Sequence, residues 1–206
     1  MAGLILEGVC TSGKSTILKY ISNNERYIRM ETKIQLNEFM TERVIEYPRP
    51  KIEERIKLLQ NYVEIIDNLN SNFYNSRFKR IQQSEVKPCY LLERFHLTHS
   101  VEELNFLPFK DIDKKLNELN FKLVILTIDE NIISKRLEDS FKRRNNSWYR
   151  YIMSFEGIEY ASEKYKNMQE KLVEHSKLSV LDTKIINTSK CNWQEYTNEI
   201  LDFWMS

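Results

Sequence analysis

The strongest constraint on the fold comes from residues 4–16. An apolar run, Leu4–Leu6, leads to Gly8, and Gly13-Lys14-Ser15-Thr16 begins after four further residues. Every fixed position of the phosphate-loop pattern G-x-x-x-x-G-K-[ST] is therefore occupied. The chain has only four glycines, and two of them fall on the required positions, which argues against a chance match. The pattern predicts a strand, a tight turn and the start of a helix.

Each fixed residue of this loop has a physical role. The two glycines let the backbone bend so that N–H groups point inward and form a nest for phosphate oxygens. Lys14 supplies a cation for the β- and γ-phosphates, and the Ser15 hydroxyl is suited to ligate Mg²⁺. The loop therefore predicts binding of a nucleoside triphosphate. The expected cofactor-binding residues are Gly8, Cys10, Thr11, Ser12, Gly13, Lys14, Ser15 and Thr16.

Length and composition suit one domain over residues 1–206. The net charge of +1 gives no support to a bulk electrostatic grip on polymeric nucleic acid, so no such partner is expected. The three cysteines show no metal-ligand spacing, which favours free thiols in a reducing compartment. No apolar run approaches membrane-spanning length. We therefore expect a cytoplasmic protein with no membrane partner.

Along the chain, strands alternate with helices five times. The predicted strands are 4–8, 26–30, 89–92, 121–128 and 184–187. The predicted helices are 14–21, 32–45, 52–84, 111–120, 132–144, 158–175 and 193–204, with a loosely helical segment at 96–107, a break at Pro48-Arg49-Pro50 and a loop at 145–150. This alternation predicts an α/β protein with a parallel sheet covered by helices on both faces.

Ligands of such sheets bind outside the carboxyl ends of the strands. That rule predicts that Glu31, Glu93-Arg94 and Asp129, at the ends of the second, third and fourth strands, face the same crevice as residues 8–15. Glu93 fits the carboxylate that a phosphate loop needs near Mg²⁺. Arg94 could pair with a phosphate through its planar fork. A plain surface turn is the alternative interpretation of Glu93-Arg94.

A basic run follows the fourth strand: Lys135, Arg136, Lys142, Arg143, Arg144 and Arg150. Arginines on a mobile segment stabilise charge on a transferred phosphoryl group and exclude water. The alternative is a solvated charged helix with Glu130, Glu138 and Asp139 as partners. His96-x-x-His99 lacks a third ligand nearby, so no zinc site is expected.

Taken together, these motifs resemble the thymidylate kinase and deoxynucleoside kinase families. Ile5-Leu6-Glu7-Gly8, running into Ser12-Gly13-Lys14-Ser15-Thr16, is similar to their shared start, and Glu93-Arg94-Phe95 resembles their Asp-Arg-Tyr/Phe and Glu-Arg-Ser motifs. The resemblance implies a three-layer P-loop kinase fold with a five-stranded parallel sheet in the order 2-3-1-4-5. It also implies ATP as donor, Mg²⁺, and a small lid at about 136–152.

The resemblance also implies roles for particular residues. Residues 187–191 would lie near adenine. The implied catalytic residues are Lys14, Glu93, Arg94, Arg136 and Arg143; the metal ligands are Ser15 and Glu93; the substrate-binding residues are Glu31, Phe39, Arg94 and Phe95.

The chain departs from the family patterns around the acceptor. Arg29-Met30-Glu31-Thr32 replaces the Arg-Glu-Pro-Gly of thymidylate kinases, and Glu93 replaces their Asp. In deoxynucleoside kinases a glutamate after the second strand is the base toward the 5′-hydroxyl. Glu31 could imitate it, although the tryptophan expected shortly afterwards is absent.

The resulting function hypothesis is transfer of the γ-phosphoryl of ATP to a nucleoside monophosphate, as in thymidylate kinases. A deoxynucleoside kinase, or a kinase of another small metabolite, is the enzymatic alternative. A non-catalytic nucleotide-binding module is the alternative from another class. A GTPase switch is disfavoured because no Asn-Lys-x-Asp motif occurs. The helix at 52–84 could supply the face of a homodimer.

Overall fold

A five-stranded parallel sheet forms the centre of the protein. The computed structural model describes residues 3–46 and 49–206. The strands are β1 (Gly3–Gly8), β2 (Lys33–Leu36), β3 (Cys89–Glu93), β4 (Phe121–Thr127) and β5 (Asp182–Asn187). They are ordered β2-β3-β1-β4-β5, and all four pairings are parallel. The predicted fold class and strand order are confirmed.

Helices cover both faces of this sheet. They are α1 (Lys14–Ser22), α2 (Glu25–Ile28), α3 (Glu38–Thr41), α4 (Ile52–Tyr74), α5 (His96–Glu102), α6 (Lys110–Glu118), α7 (Ile133–Phe141), α8 (Asn146–Met153), α9 (Ile158–Ser176) and α10 (Trp193–Met205). Short 3-10 segments occur at Arg43–Ile45, Arg77–Arg80, Ser84–Val86, Leu107–Phe109 and Glu130–Ile132. None of the helices in the described ranges is both long and apolar enough to span a membrane.

The central strands are buried on both faces. In β1, Ile5 belongs to a core cluster shared with α4, α5, α6 and α9, whereas Leu4 and Leu6 belong to a second cluster shared with α1 and α10. Successive side chains of a strand point to opposite faces, so a continuous apolar run fills both layers. This packing fixes the carboxyl ends of β1, β3 and β4 along one edge.

The second strand is not where the sequence predicts it. Residues 26–30 lie in and after α2, whose N-terminus is capped by the Asn24 side chain. The strand is instead β2, paired residue by residue with β3. It is an edge strand in which only alternate residues are half-buried, so its apolar pattern is weak. The predicted helix 32–45 is therefore wrong over its first part.

Two other boundaries differ from the prediction. Helix α4 ends at Tyr74, about 35 Å from its start at 1.5 Å per residue. Beyond it, the chain forms a turn, the 3-10 segment Arg77–Arg80 and irregular backbone instead of continuing the helix to 84. The predicted loop 145–150 is largely helix α8, whose first turn is capped by Asn145 accepting from the Trp148 backbone N–H. Of the predicted break, Pro48 lies outside the described residues.

Candidate active site

Two adjoining clefts open at the carboxyl edge of the sheet. The first, here called the loop cleft, has a volume of about 670 Å³ and lies between the loop before α1, the end of β3, helix α7 and the loop before α10. The second, here called the aromatic cleft, has a volume of about 760 Å³ and lies between α3, α4, α8 and α9. Four residues line both: Cys10, Arg43, Arg94 and Arg144.

The loop before α1 requires its glycines. Gly8 and Gly13 have φ values of 148° and 95°, which residues with a Cβ rarely adopt. A Cβ on Gly8 would lie 2.6 Å from Ser12 Oγ, and one on Gly13 would lie 2.5 Å from the Trp193 ring. Six of the eight predicted cofactor-binding residues line the loop cleft; Gly8 and Ser12 are buried and are not among its lining residues.

Lys14 is a buried cation at the base of this cleft. Its side chain is 5% exposed, and Nζ donates to the carbonyl oxygens of Gly8 (2.7 Å) and Val9 (3.1 Å). Burial, helped by the nearby Arg94 charge, lowers the pKa of Lys14 to about 8. An anion placed in the loop would favour the charged ammonium again. The loop is therefore electrostatically suited to receive phosphate oxygens.

Glu93 adds a buried carboxylate to the same cleft. It is 5% exposed, and its Oε1 has no hydrogen-bond partner among the described residues. Burial raises the pKa of this carboxyl. Ser15, exposed at the start of α1, lines the same cleft.

This donor set fits Mg²⁺, which proteins usually hold by one or two carboxylates together with substrate phosphates and water. No group of three His, Cys, Asp or Glu in the described ranges could hold a metal by itself. His96 and His99 instead pair with Asp113 (Nε2 to Oδ1, 2.9 Å) and the Thr41 carbonyl (Nε2 to O, 2.7 Å).

Glu38, and not Glu31, stands at the carboxyl end of β2. Glu31 precedes the strand and is exposed, so the predicted placement of Glu31 is wrong. Glu38 lines the loop cleft, with Oε2 3.2 Å from Arg94 Nε and Oε1 2.8 Å from Arg43 Nη2. Because β2 lies at residues 33–36, the rule that ligands bind outside the carboxyl ends of the strands points to Glu38 instead of Glu31.

The turn after β3 is held by a residue outside the predicted set. Glu7 is fully buried, and its carboxylate accepts hydrogen bonds from Phe95 N (2.8 Å), Thr98 N (3.3 Å) and the Thr98 hydroxyl. Arg94 has a φ of 52° in this turn. Phe95 is fully buried in the core and lines neither cleft, contrary to the substrate-binding role that the family resemblance implies.

Among the predicted lid arginines, Arg136 is the most constrained. Nη1 donates to the Thr11 carbonyl at 3.1 Å, and Nη2 donates to the carbonyls of Thr188 (2.5 Å) and Ser189 (3.2 Å). Arg136 therefore ties the loop before α1 to the loop before α10. Within the predicted 187–191 segment, Ser189 and Cys191 line the loop cleft.

The other basic residues of this region differ in position. Arg143 is exposed and lines only the loop cleft, whereas Arg150 is exposed and lines neither cleft. Arg144 lies over the Trp148 ring at 4.3 Å and donates through Nη1 to Cys10 Sγ at 3.4 Å.

Side chains from four helices make the aromatic cleft. Phe39, 62% exposed, lies on the α3 side, and Trp148, Tyr151 and Tyr165 lie on the α8 and α9 side. The buried Arg55 guanidinium reaches this cleft from α4, with Nε 2.8 Å from Glu103 Oε1 and Nη1 3.1 Å from His99 Nδ1. Such a cleft suits a planar ring with polar edges. Apart from Phe39, these residues were missed, because no local motif marks them.

Comparisons with known proteins support the fold. No family model and no curated protein matches the sequence. A crystal structure of the YorR protein from Bacillus subtilis, in complex with phosphorylated GDP, matches with a TM-score of 0.62 at 18% identity, covering 98% of this chain and 95% of YorR. An uncharacterized protein from Eubacterium ventriosum matches with a TM-score of 0.50 at 10% identity, covering 100% and 99%. These likenesses show a shared α/β fold.

Proposed function

We propose that this chain is a phosphotransferase that moves the γ-phosphoryl group of ATP to a small nucleoside or nucleotide. The observation that carries this proposal is the convergence of Lys14, Ser15 and Glu93 with four further basic residues around one cleft, which continues into an aromatic cleft. These basic residues are Lys135, Arg136, Arg143 and Arg144. The phosphorylated GDP bound by YorR, a protein of the same fold, supports nucleotide binding.

The proposed roles follow from the contacts. Lys14 binds the β- and γ-phosphates, and Ser15 with Glu93 would hold Mg²⁺, which supplies neutralisation of phosphate charge when bound. Arg136 orders the loop that faces the donor base, since its guanidinium links Thr11 to Thr188. The aromatic cleft receives the acceptor.

The contacts of Arg94 and Glu38 favour a nucleoside hydroxyl over a nucleoside monophosphate as the acceptor. A monophosphate needs a cation, and Arg94, the residue that the family resemblance assigns to the acceptor, is already paired with Glu38 (3.2 Å) and Glu42 (3.1 Å). A hydroxyl needs a nearby base, and the Glu38 carboxylate at the cleft wall fits that role. We therefore propose a nucleoside kinase as the specific form, with the monophosphate kinase implied by the thymidylate kinase resemblance as the competing form.

The first experiment incubates the protein with ATP and Mg²⁺ and screens nucleosides, nucleoside monophosphates and water as acceptors. The proposal expects ADP release that depends on a nucleoside, together with a 5′-phosphorylated product. Lys14→Ala should abolish this turnover. ADP formation with water alone would identify an ATPase, and nucleotide binding without any turnover would identify a binding module.

A matched pair of variants tests the base. Glu38→Gln should lower kcat toward a nucleoside by roughly 10² or more, the usual scale of general-base catalysis. Glu31→Gln removes the carboxylate at the other end of β2 and should leave kcat unchanged. Quenching of Trp193, which lines the loop cleft, checks that nucleotide still binds. An equal loss with nucleoside and monophosphate acceptors would contradict the role of Glu38 as base.

A further inference from the structure

The four residues that line both clefts mark the place where donor and acceptor meet. Three of them are arginines: Arg43, Arg94 and Arg144. We propose that Arg144 is the arginine that contacts the phosphoryl group during transfer. This inference rests on the proposed function and selects a residue outside the set of catalytic residues predicted from the sequence.

The charges of the other two arginines are already compensated. Arg94 pairs with Glu38 and Glu42, at 3.2 Å and 3.1 Å, and Arg43 pairs with Glu38 at 2.8 Å. A guanidinium that shares two carboxylates has little charge left for a phosphoryl group. Its carboxylates would also repel the anionic oxygens of that group.

The remaining basic side chains of the loop cleft are excluded by their contacts or position. Arg136 donates to three backbone carbonyls, so recruiting it to the phosphoryl group would break the link between the phosphate loop and residues 188–189. Lys135 and Arg143 line the loop cleft alone and do not reach the border with the aromatic cleft.

Arg144 meets both conditions. Its Nη1 lies 3.4 Å from Cys10 Sγ, inside the phosphate loop, and none of the ion pairs among residues 3–46 and 49–206 involves it. Its guanidinium lies over Trp148, whose Nε1 donates to Ser140 Oγ at 2.7 Å. Because Trp148 is anchored to α7, it holds the guanidinium over the loop, and only the weak bond from Nη1 to Cys10 Sγ occupies a donor of that guanidinium.

The chemistry of the transfer requires such a group. The bond between the γ-phosphorus and the oxygen bridging to the β-phosphate breaks, ADP leaves with that electron pair, and the acceptor oxygen forms the new bond. The acceptor's hydroxyl proton passes to Glu38. Charge is spread over three equatorial oxygens in the transition state, and the planar donors of Arg144 can bind two of them.

The test compares Arg144→Gln with Arg150→Gln as matched control, because Arg150 is exposed and lines neither cleft. The proposal expects Arg144→Gln to lower kcat by about 10³, the lower end of the effect of an arginine finger, with little change in the KM for either substrate. The ADP affinity, read from Trp193 quenching, should change by less than about threefold. Arg150→Gln should keep kcat within about threefold of wild type.

Chemical rescue separates contact from a structural effect. Millimolar guanidinium should raise the kcat of Arg144→Ala by at least about tenfold, and it should not raise the kcat of Arg150→Ala. Three results would each overturn the assignment. They are a near-wild-type kcat in Arg144→Gln, an effect of this substitution on the acceptor KM alone, and absence of rescue in a variant whose melting temperature is unchanged. Wild-type turnover is measured first: no transfer to any acceptor defeats the proposed function itself, whereas wild-type transfer with an active Arg144→Gln defeats only this inference.

Discussion

Lys14 should make the stability of the ligand-free protein depend on pH in an unusual direction. Burial lowers the pKa of this ammonium from 10.5 to about 8, so the folded protein loses its proton before the unfolded chain does. Between these two values the unfolded state binds more protons, and stability therefore rises with pH. Lys14→Met removes the titrating group and should remove this rise.

The size of the effect follows from the two pKa values. At about 1.4 kcal/mol per pH unit, the interval from about 8 to 10.5 corresponds to roughly 3 kcal/mol in the free energy of unfolding. Below pH 8, Lys14 is protonated in both states, and the difference between wild type and Lys14→Met should be constant. The rise should appear only above that pH.

Urea unfolding, followed by fluorescence of the buried Trp204, measures the effect at a series of pH values from neutral to above 10. Other groups also titrate in this interval, so the informative quantity is the difference between wild type and Lys14→Met. Lys19→Met, which removes an exposed lysine from the same helix, should follow the wild-type curve.

Two results would refute this reasoning. Parallel pH curves for wild type and Lys14→Met would mean that the buried ammonium is not destabilised in the folded protein. Saturating ADP should suppress the wild-type rise, because phosphate charge favours the protonated lysine. A rise that persists unchanged with bound nucleotide would separate Lys14 from the phosphate site.

Three further changes test the loop, the turn after β3 and a buried acid. Gly13→Ala should abolish nucleotide binding in a titration and destabilise the fold by about 2 kcal/mol or more, whereas Gly157→Ala, which also has positive φ but open space around it, should cost less in a melting experiment. Glu7→Ala should cost roughly 3 kcal/mol in urea unfolding, because three hydrogen bonds are lost, and should lower turnover. For Asp113, burial acts to raise the pKa, but hydrogen bonds led by that of His96 lower it on balance. Its contribution to stability is therefore present near neutral pH and is lost as pH falls below about 4, and acid titration of Asp113→Asn should lack that loss.

The strand, turn and helix at residues 3–22 were predictable because their determinants are local. Neighbouring residues encode the positive φ angles of Gly8 and Gly13 and the buried strand before them. The same holds for the apolar strands β3 and β4. The strand order 2-3-1-4-5, implied by the family resemblance, is confirmed. Such elements are selected mainly by their own composition and by the backbone conformations that their residues allow.

The errors fall where pairing between distant segments decides the structure. Residues 33–36 become a strand because β3 offers them a ladder, although their own apolar pattern is weak. That displacement moved the expected carboxylate from Glu31 to Glu38. Helix α8 was missed because its Asn145 cap and the packing of Trp148 on α7 are not visible as periodicity in so short a segment.

The sequence alone determined that a glycine-bounded loop would lie between a buried first strand and a helix, because its two glycines and the apolar strand before them lie within one short stretch. Only the tertiary structure decided which charges around that loop are free. Arg94 is compensated by Glu38 and Glu42, Arg136 is bound to carbonyls, and Arg144 faces both clefts. Whether a charged side chain is free to bind a ligand depends on its distance from opposite charges on residues far apart in the chain. Spacing along the sequence does not encode those distances.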